Sequence, residues 1–313
     1  MTGSKFEKYA VREPIREAAD PGVKGRDWPP AIYMSSRQVA EADIYLEMGW
    51  IRGIPEGGPQ ATEQVLDHDQ LLLHIGGDYR TPQVLGATVE AYVGGQPIVF
   101  NTTTGLYIPK GTPYGPFTWR EFHHPHLQVG IVFGSGDPYA GVDRTAAGAQ
   151  RAGKGGAGAV PRKTEDFDFE QYAIRSPMRE AGPEFMVSGR QLPSMTYLSR
   201  TQVNAANNYL EFGWIWDVPS RPIGRMRHDN HGEMVFHFGG DPDHPEDLGA
   251  TMQFGVGDDV LEFDTTYCVY VPRGMNHGPL SWKEVRRPMV ELALMLGAGV
   301  WAEGWEGSFF DES

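Results

Sequence analysis

His228-Asp229-Asn230-His231-Gly232-Glu233-Met234-Val235-Phe236-His237-Phe238-Gly239-Gly240 is the stretch from which the rest of the chain can be read, because the chain contains it twice. Val65-Leu66-Asp67-His68-Asp69-Gln70-Leu71-Leu72-Leu73-His74-Ile75-Gly76-Gly77 stands 163 positions earlier, with the same hydrophobic run and the same paired glycines. The period extends beyond this window: Tyr9, Tyr107, Pro109 and Gly134 recur as Tyr172, Tyr270, Pro272 and Gly297, with a slip to 164 at Trp50 and Trp214. Repetition at a fixed long interval means two similar modules. Three positions differ in a single chemical sense. Val65 becomes His228, Gln70 becomes Glu233 and Tyr114 becomes His277, so two imidazoles and a carboxylate, residue types that ligate metals, arise together in the second copy.

Length agrees with the repeat, since 313 residues exceed the usual single domain and predict two of about 140 to 160 residues each. Hydrophobic residues at 40% and charged residues at 22% are globular values, enough for each half to bury a core. A net charge of −14 argues against nucleic acid or an anionic membrane as the main partner, because both repel it. One cysteine, Cys268, cannot form an intramolecular disulfide. The polar start, Met1 to Ala10, lacks the apolar core of a signal peptide, and no run approaches the roughly 20 apolar residues of a membrane span. A cytoplasmic protein is expected.

Even the leading arms repeat, Tyr9-Ala10-Val11-Arg12 with Pro14 answering Tyr172-Ala173-Ile174-Arg175 with Pro177. The tract from Gly134 to Arg162 has linker composition, rich in Gly and Ala, and a boundary near Gly155 divides the chain into residues 1–155 and 156–313. Within each copy the apolar runs are short and punctuated by Gly, Pro or Asp, as in Gln70 to Ile75, Thr88 to Val93 and Leu127 to Phe133. Such runs predict strands, and many short strands predict an antiparallel barrel or sandwich whose interior can hold one ligand. Gly76-Gly77 and Gly239-Gly240 lack the lysine and helix of a phosphate loop and read as turn glycines.

If Glu233 opens a strand, Val235 and His237 share its face, His228 approaches from the preceding turn, and His277 returns after the Pro272–Gly274 turn. These residues resemble the cupin superfamily, and the whole chain resembles a bicupin. The first cupin motif, His, four residues, Glu, six residues, Gly, is matched by His228, Glu233 and Gly240. The second, Pro, one residue, Gly, two residues, His, is matched by Pro272, Gly274 and His277. The resemblance implies an all-β protein of two tandem cupin-type jelly-roll barrels joined by the Gly/Ala-rich linker, with a metal site in the C-terminal barrel. One departure matters: where the family often has a further His, two residues before His228, this chain has Met226, so the resemblance implies three ligands, His228, Glu233 and His277.

Two imidazoles and one carboxylate leave coordination positions open, as in non-haem Fe(II) oxygenases. One divalent transition metal is expected, Fe(II) first, with Mn, Ni or Zn able to use the same donors. His237 recurs as His74 and is expected to line the pocket, orient a ligand or serve the scaffold, with direct ligation left open. His231, which recurs as His68, is expected in an exposed turn and is the substitute ligand if His228 points away. Glu291 replaces Gln128 inside the apolar run Met289 to Leu296, where an acid is costly unless paired or facing a wet cavity. It is expected to move a proton, to pair with Arg286 or Arg287, or to sit at the rim. His123-His124-Pro125-His126 reads as a surface loop, with His126 able to face inward. Trp216, opposite Arg52 in the first copy, is the candidate pocket wall, whereas Trp50 and Trp214 read as core.

The function expected from these residues is a mononuclear metal-dependent enzyme acting on a small polar, aromatic or carboxylate-bearing substrate in the C-terminal barrel. Dioxygenase chemistry stands first, with decarboxylation, isomerisation or hydrolysis beside it. The alternative of another class is a non-catalytic cupin that binds a small ligand. The expected partner is that small molecule, with a homo-oligomer left open. Val65, Gln70 and Tyr114 cannot reproduce the ligand set, so the N-terminal barrel is expected to be metal-free and structural.

Overall fold

Alternation of apolar and polar side chains becomes alternation of inward and outward positions. In Asp259–Thr265, Leu261 and Phe263 are buried while Val260 is 60% exposed. The computed structural model describes residues 4–17, 23–57, 62–139, 168–180 and 186–310. The boundary expected near Gly155 lies outside them. The first strands are β1 (Ala10–Val11), β2 (Lys24–Arg26), β3 (Ala31–Met34), β4 (Ile44–Glu56) and β5 (Gln70–Gly76). β6 (Val84–Val93), β7 (Gln96–Thr102), β8 (Thr104–Ile108), β9 (Tyr114–Phe122) and β10 (His126–Phe133) follow. The second copy supplies β11 (Ala173–Ile174), β12 (Met195–Leu198), β13 (Asn208–Ile215), β14 (Met226–Arg227) and β15 (Gly232–Gly239). It continues with β16 (Asp247–Val256), β17 (Asp259–Thr265), β18 (Tyr267–Val271), β19 (Asn276–Val285) and β20 (Met289–Leu296), and ends in helix α1 (Trp301–Trp305). No helix among the described residues is long and apolar enough to cross a membrane.

The contacts divide the chain into two units, Pro14–Arg175 and a second made of Met1–Glu13 with Ser176–Ser313. In the first, a sheet ordered β11-β8-β5-β10-β4-β2, with β3 on β4, is accompanied by the sheet β7-β6-β9. Their shared core holds Leu85, Val89, Phe100, Leu106 and Trp119. In the second, β1-β18-β15-β20-β13-β12 and β14-β19-β16-β17 enclose Tyr209, Val235, Phe254, Phe263 and Trp282. Every strand pairing among the described residues is antiparallel, the all-β barrel architecture expected from sequence.

The arms are exchanged. Ala10 and Val11 pair with Val269 and Cys268 of β18, while Ala173 and Ile174 pair with Leu106 and Gly105 of β8. Each arm therefore counts with the barrel other than the one it precedes in the chain.

The paired glycines do not make turns. Gly76 and Gly239 end strands, and a Cβ there would lie 2.0 Å from the Val84 carbonyl oxygen or 2.1 Å from that of Asp247. Gly77 and Gly240 leave room for the rings of Trp50 and Trp214, which are fully buried as expected. Close backbone approach, rather than a left-handed φ, accounts for these four residues.

Candidate metal centre

The central three strands of the C-terminal barrel carry the site, and their register decides which side chains share a face. Glu233 pairs with Met295 and His237 with Glu291 across β15 and β20, while Glu211 and Gly213 on β13 oppose Ala293 and Glu291. Period two then puts Glu233, His237, Glu291 and Glu211 on one face, turned into the barrel. Met226 of β14 lies opposite His277 on β19, which brings His277 and the loop residue His228 to the Glu233 end of that face.

Here the expected ligands meet. Glu233 Oε2 is 3.3 Å from His228 Nε2 and 2.8 Å from His277 Nε2, and all three side chains are buried. The other ring nitrogens fix the tautomers. His277 Nδ1 lies 3.0 Å from the Met275 carbonyl oxygen, which can only accept, so a neutral ring carries its proton at Nδ1. His228 Nδ1 lies 3.0 Å from Ser308 Oγ, whose own hydroxyl donates to the Gly304 carbonyl oxygen at 3.2 Å, so His228 is the donor there as well. Both Nε2 lone pairs therefore face an anionic oxygen. His277 Nε2 makes no directed hydrogen bond despite its 2.8 Å approach to Glu233. Such an arrangement is repulsive unless a cation lies among the donors.

The donor atoms of His228, Glu233 and His277 lie within 4.8 Å of one another, and among the described residues this is the group able to hold a metal ion. Burial pushes the Glu233 carboxyl up, but the two imidazoles, when protonated toward it, reverse this and hold it well below the usual carboxylate range. A permanently ionised carboxylate with two neutral imidazoles suits a divalent transition metal.

The other predicted residues separate in space. His237 lies four strand positions from Glu233, roughly 13 Å along the strand, too far to share an ion. Instead its Nε2 meets Glu291 Oε2 at 3.1 Å, its ring stacks on Tyr267, and it is fully buried. Glu291 Oε1 accepts from Arg190 Nη2 at 2.7 Å, so the partner expected among Arg286 and Arg287 is a residue from a distant loop. His231 is buried rather than exposed, because its ring stacks on His228 with centroids 4.6 Å apart, and it lies outside the ligand group. Burial first, and the neighbouring His228 second, push its pKa down to about 4, which keeps that ring neutral. Trp216 follows the last residue of β13, is 40% exposed, and does not line the cavity. His126 faces inward and accepts from Trp119 Nε1 at 3.2 Å, while His123 and His124 remain exposed.

Four contributors escape the sequence reading. Ser308 orients His228, and Trp305 of α1 packs edge-on against the same ring. Both lie beyond the repeat, so no first-copy residue draws attention to them. Arg190 and Glu211 are matched in the first copy by Arg26 and Glu47, and identity between copies reads as scaffold. Glu211 nevertheless lines the same cavity as Glu233, His277 and Glu291, a space of about 20 Å³ with otherwise apolar walls. Burial pushes the Glu211 carboxyl up to about 7, against hydrogen bonds from Tyr209 and Ser194 and the charge of Arg190. Burial also raises Glu291, but Arg190 and His237 prevail and hold it down at about 2. The cavity thus has an ionised carboxylate and a proton-holding one side by side near neutral pH.

These two acids pull stability in opposite directions. Glu291, depressed in the fold, contributes stability above its ordinary value of 4.5 that is lost as pH falls toward 2. Glu211, raised in the fold, keeps a proton that the unfolded chain releases, so stability declines as pH rises from 4.5 to 7 and then levels. Glu211→Gln is expected to remove that decline and raise stability at pH 8 by roughly 3 kcal/mol. Urea denaturation at pH 5 and pH 8 reads the difference, and equal gains at both would exclude a titrating Glu211.

No protein-family model matches the chain, and no curated protein sequence matches it. Solved structures do. AerE from Microcystis aeruginosa superposes with a TM-score of 0.52 at 8% identity, covering 92% of this chain and 99% of its own. Oxalate decarboxylase from Bacillus subtilis at pH 4.6 superposes with a TM-score of 0.52 at 10% identity, covering 93% of this chain and 75% of its own. A second structure of that enzyme, studied for its Mn(II) centres, gives 0.51 at 10% identity, covering 93% and 76%. At such identities the likeness speaks of fold, and the fold of this chain is that of the cupins, all-β jelly-roll barrels in tandem, with a buried His/Glu cluster of metal-binding type in the second.

Proposed function

We propose that the C-terminal barrel is a mononuclear metal-dependent catalytic centre that acts by proton transfer on a small, metal-chelating, carboxylate-bearing substrate. The observation that carries this reading is Glu211, a buried carboxyl pushed up to about 7, on the same cavity as His277 and Glu233. His228, Glu233 and His277 would hold the ion, which when bound supplies Lewis-acid polarisation of a substrate oxygen. Ser308 and the Met275 carbonyl keep the two imidazoles in the ligating tautomer. Apolar side chains such as Phe254, Leu280 and Trp305 exclude bulk water and keep the space small. Glu211 donates or recovers a proton at substrate carbon or oxygen, and Glu291, fixed by Arg190 and His237, holds the ionised end of the pair.

Dioxygenase chemistry, first from sequence, uses the same three ligands, but it has no need of a cavity acid that is protonated at pH 7. A decarboxylase, the oxalate decarboxylase of Bacillus subtilis, is among the proteins that share this fold. The test is turnover of short dicarboxylates, keto acids and catechols by metal-reconstituted protein, with dioxygen uptake and carbon dioxide release followed in parallel. Turnover that persists without dioxygen and falls about 100-fold in Glu211→Gln supports proton transfer. Stoichiometric dioxygen consumption would instead establish the oxygenase reading.

A further inference from the structure

The N-terminal barrel repeats the site face residue by residue without its ligands. Gln70, Leu72 and His74 on β5 stand beside Val132, Gly130 and Gln128 on β10, which stand beside Tyr45, Glu47 and Gly49 on β4. One equivalence enlarges the space, because Gly130 occupies the place of Ala293, while Gln128 replaces Glu291 at equal size without its charge. The cavity over this face measures about 110 Å³ and opens past the exposed Glu17.

We infer that this cavity is a binding site for a neutral aromatic amide or lactam, a planar ring with a hydrogen-bond donor and acceptor side by side. Gln70 argues for the amide. It is 2% exposed and lines the cavity. On that wall it offers a donor and an acceptor, which a ligand amide satisfies together. Gln128 uses Nε2 on His74, at 3.3 Å, and presents its oxygen to the same space.

The walls argue for the ring. Trp28, Tyr45, Tyr114 and Tyr139 all face the cavity, and flat aromatic walls favour a flat guest. The charges argue for neutrality. Burial lowers the Arg26 pKa, while Glu47 and Asp27 beside it compensate its charge. Glu47 is in turn held by the Tyr45 hydroxyl at 2.6 Å, and Asp27 by Arg52 at 2.7 Å. One guanidinium balanced by its carboxylates offers no surplus for an anionic ligand, and an acid brought beside Glu47 would be repelled.

Two probes of equal size and opposite charge character decide the matter, 4-hydroxybenzamide and 4-hydroxybenzoate, titrated into the full chain by calorimetry. The amide is expected to bind below about 1 mM and at least tenfold more tightly than the acid. Gly130→Leu should weaken that binding at least about tenfold by filling the cavity, because a Cβ at Gly130 meets ordinary contacts at 3.5 Å with room beyond. Gln70→Leu, which removes the amide and leaves the volume, should do the same. Glu233→Gln, in the other barrel, should leave amide binding unchanged. Absence of binding up to about 10 mM, a preference for the acid, or loss of binding in Glu233→Gln alone would each overturn the assignment.

Discussion

Glu233→Gln is expected to lower affinity for a divalent transition metal by at least about 100-fold, and the purified variant to lose its metal content. Rearranging a residue behind a ligand typically costs 10- to 100-fold, so removing the one anionic ligand from a three-residue set must cost at least the upper figure. The substitution keeps size and shape, and the N-terminal barrel already holds a glutamine, Gln70, at the same strand position. Misfolding is therefore not the expected cause of any loss. Relieving the repulsion between Glu233 and the lone pair of His277 should leave the metal-free variant at least as stable as the metal-free parent. His277→Tyr, which copies Tyr114, is the companion variant, with elemental analysis and competitive chelator titration as the readouts. Unchanged metal content in both would remove the proposed ligand set.

Arg190→Met is expected to destabilise the C-terminal unit by about 3–5 kcal/mol, although Arg190 touches none of the metal ligands. Removing one partner of a buried ion pair leaves the other uncompensated in a low-dielectric site. Glu291 is 7% exposed and Glu211 5% exposed, and the Arg190 charge acts on both. The added Glu291→Gln substitution should recover most of the loss, since Gln128 already serves at that position against His74. Denaturant unfolding followed by near-ultraviolet circular dichroism measures both variants. A loss below about 1 kcal/mol, or no recovery in the double variant, would show that the pair is not a closed electrostatic unit.

The duplication made the fold legible, because the same short alternating runs had to fold the same way twice, and β5 with β15 or β10 with β20 do so at matching positions. The ligand set was legible for a different reason: His228, Glu233 and His277 differ from Val65, Gln70 and Tyr114, and a difference between copies isolates chemistry from scaffold. The same logic misplaced Glu211 and Arg190. They persist as Glu47 and Arg26, so they read as framework, yet burial and the neighbouring acid Glu291 give Glu211 a protonation state that the residue name does not announce. His231 was misjudged because stacking on His228 buries a residue that its place beside a turn would leave exposed. Ser308 and Trp305 had no counterpart to be compared with, and their roles depend on how the C-terminal segment returns to Met226, a long-range contact through the Phe309 bridge. Trp216 was favoured for being unmatched in the first copy, but it lies past the end of β13, where the barrel face no longer continues.

The exchanged arms set the smallest piece of this chain that can stand alone. A fragment cut at the linker carries Ala173–Ile174, whose pairing partner β8 it lacks, and leaves β18 without Ala10–Val11. An open strand edge invites another chain. Two barrels expressed apart and mixed can each complete the other's sheet by trading arms, as separate copies of one polypeptide do when they swap a terminal strand. In this chain the trade is internal and permanent. Cuts that respect the pairing fall after each arm, between Glu13 and Pro14 and between Arg175 and Ser176.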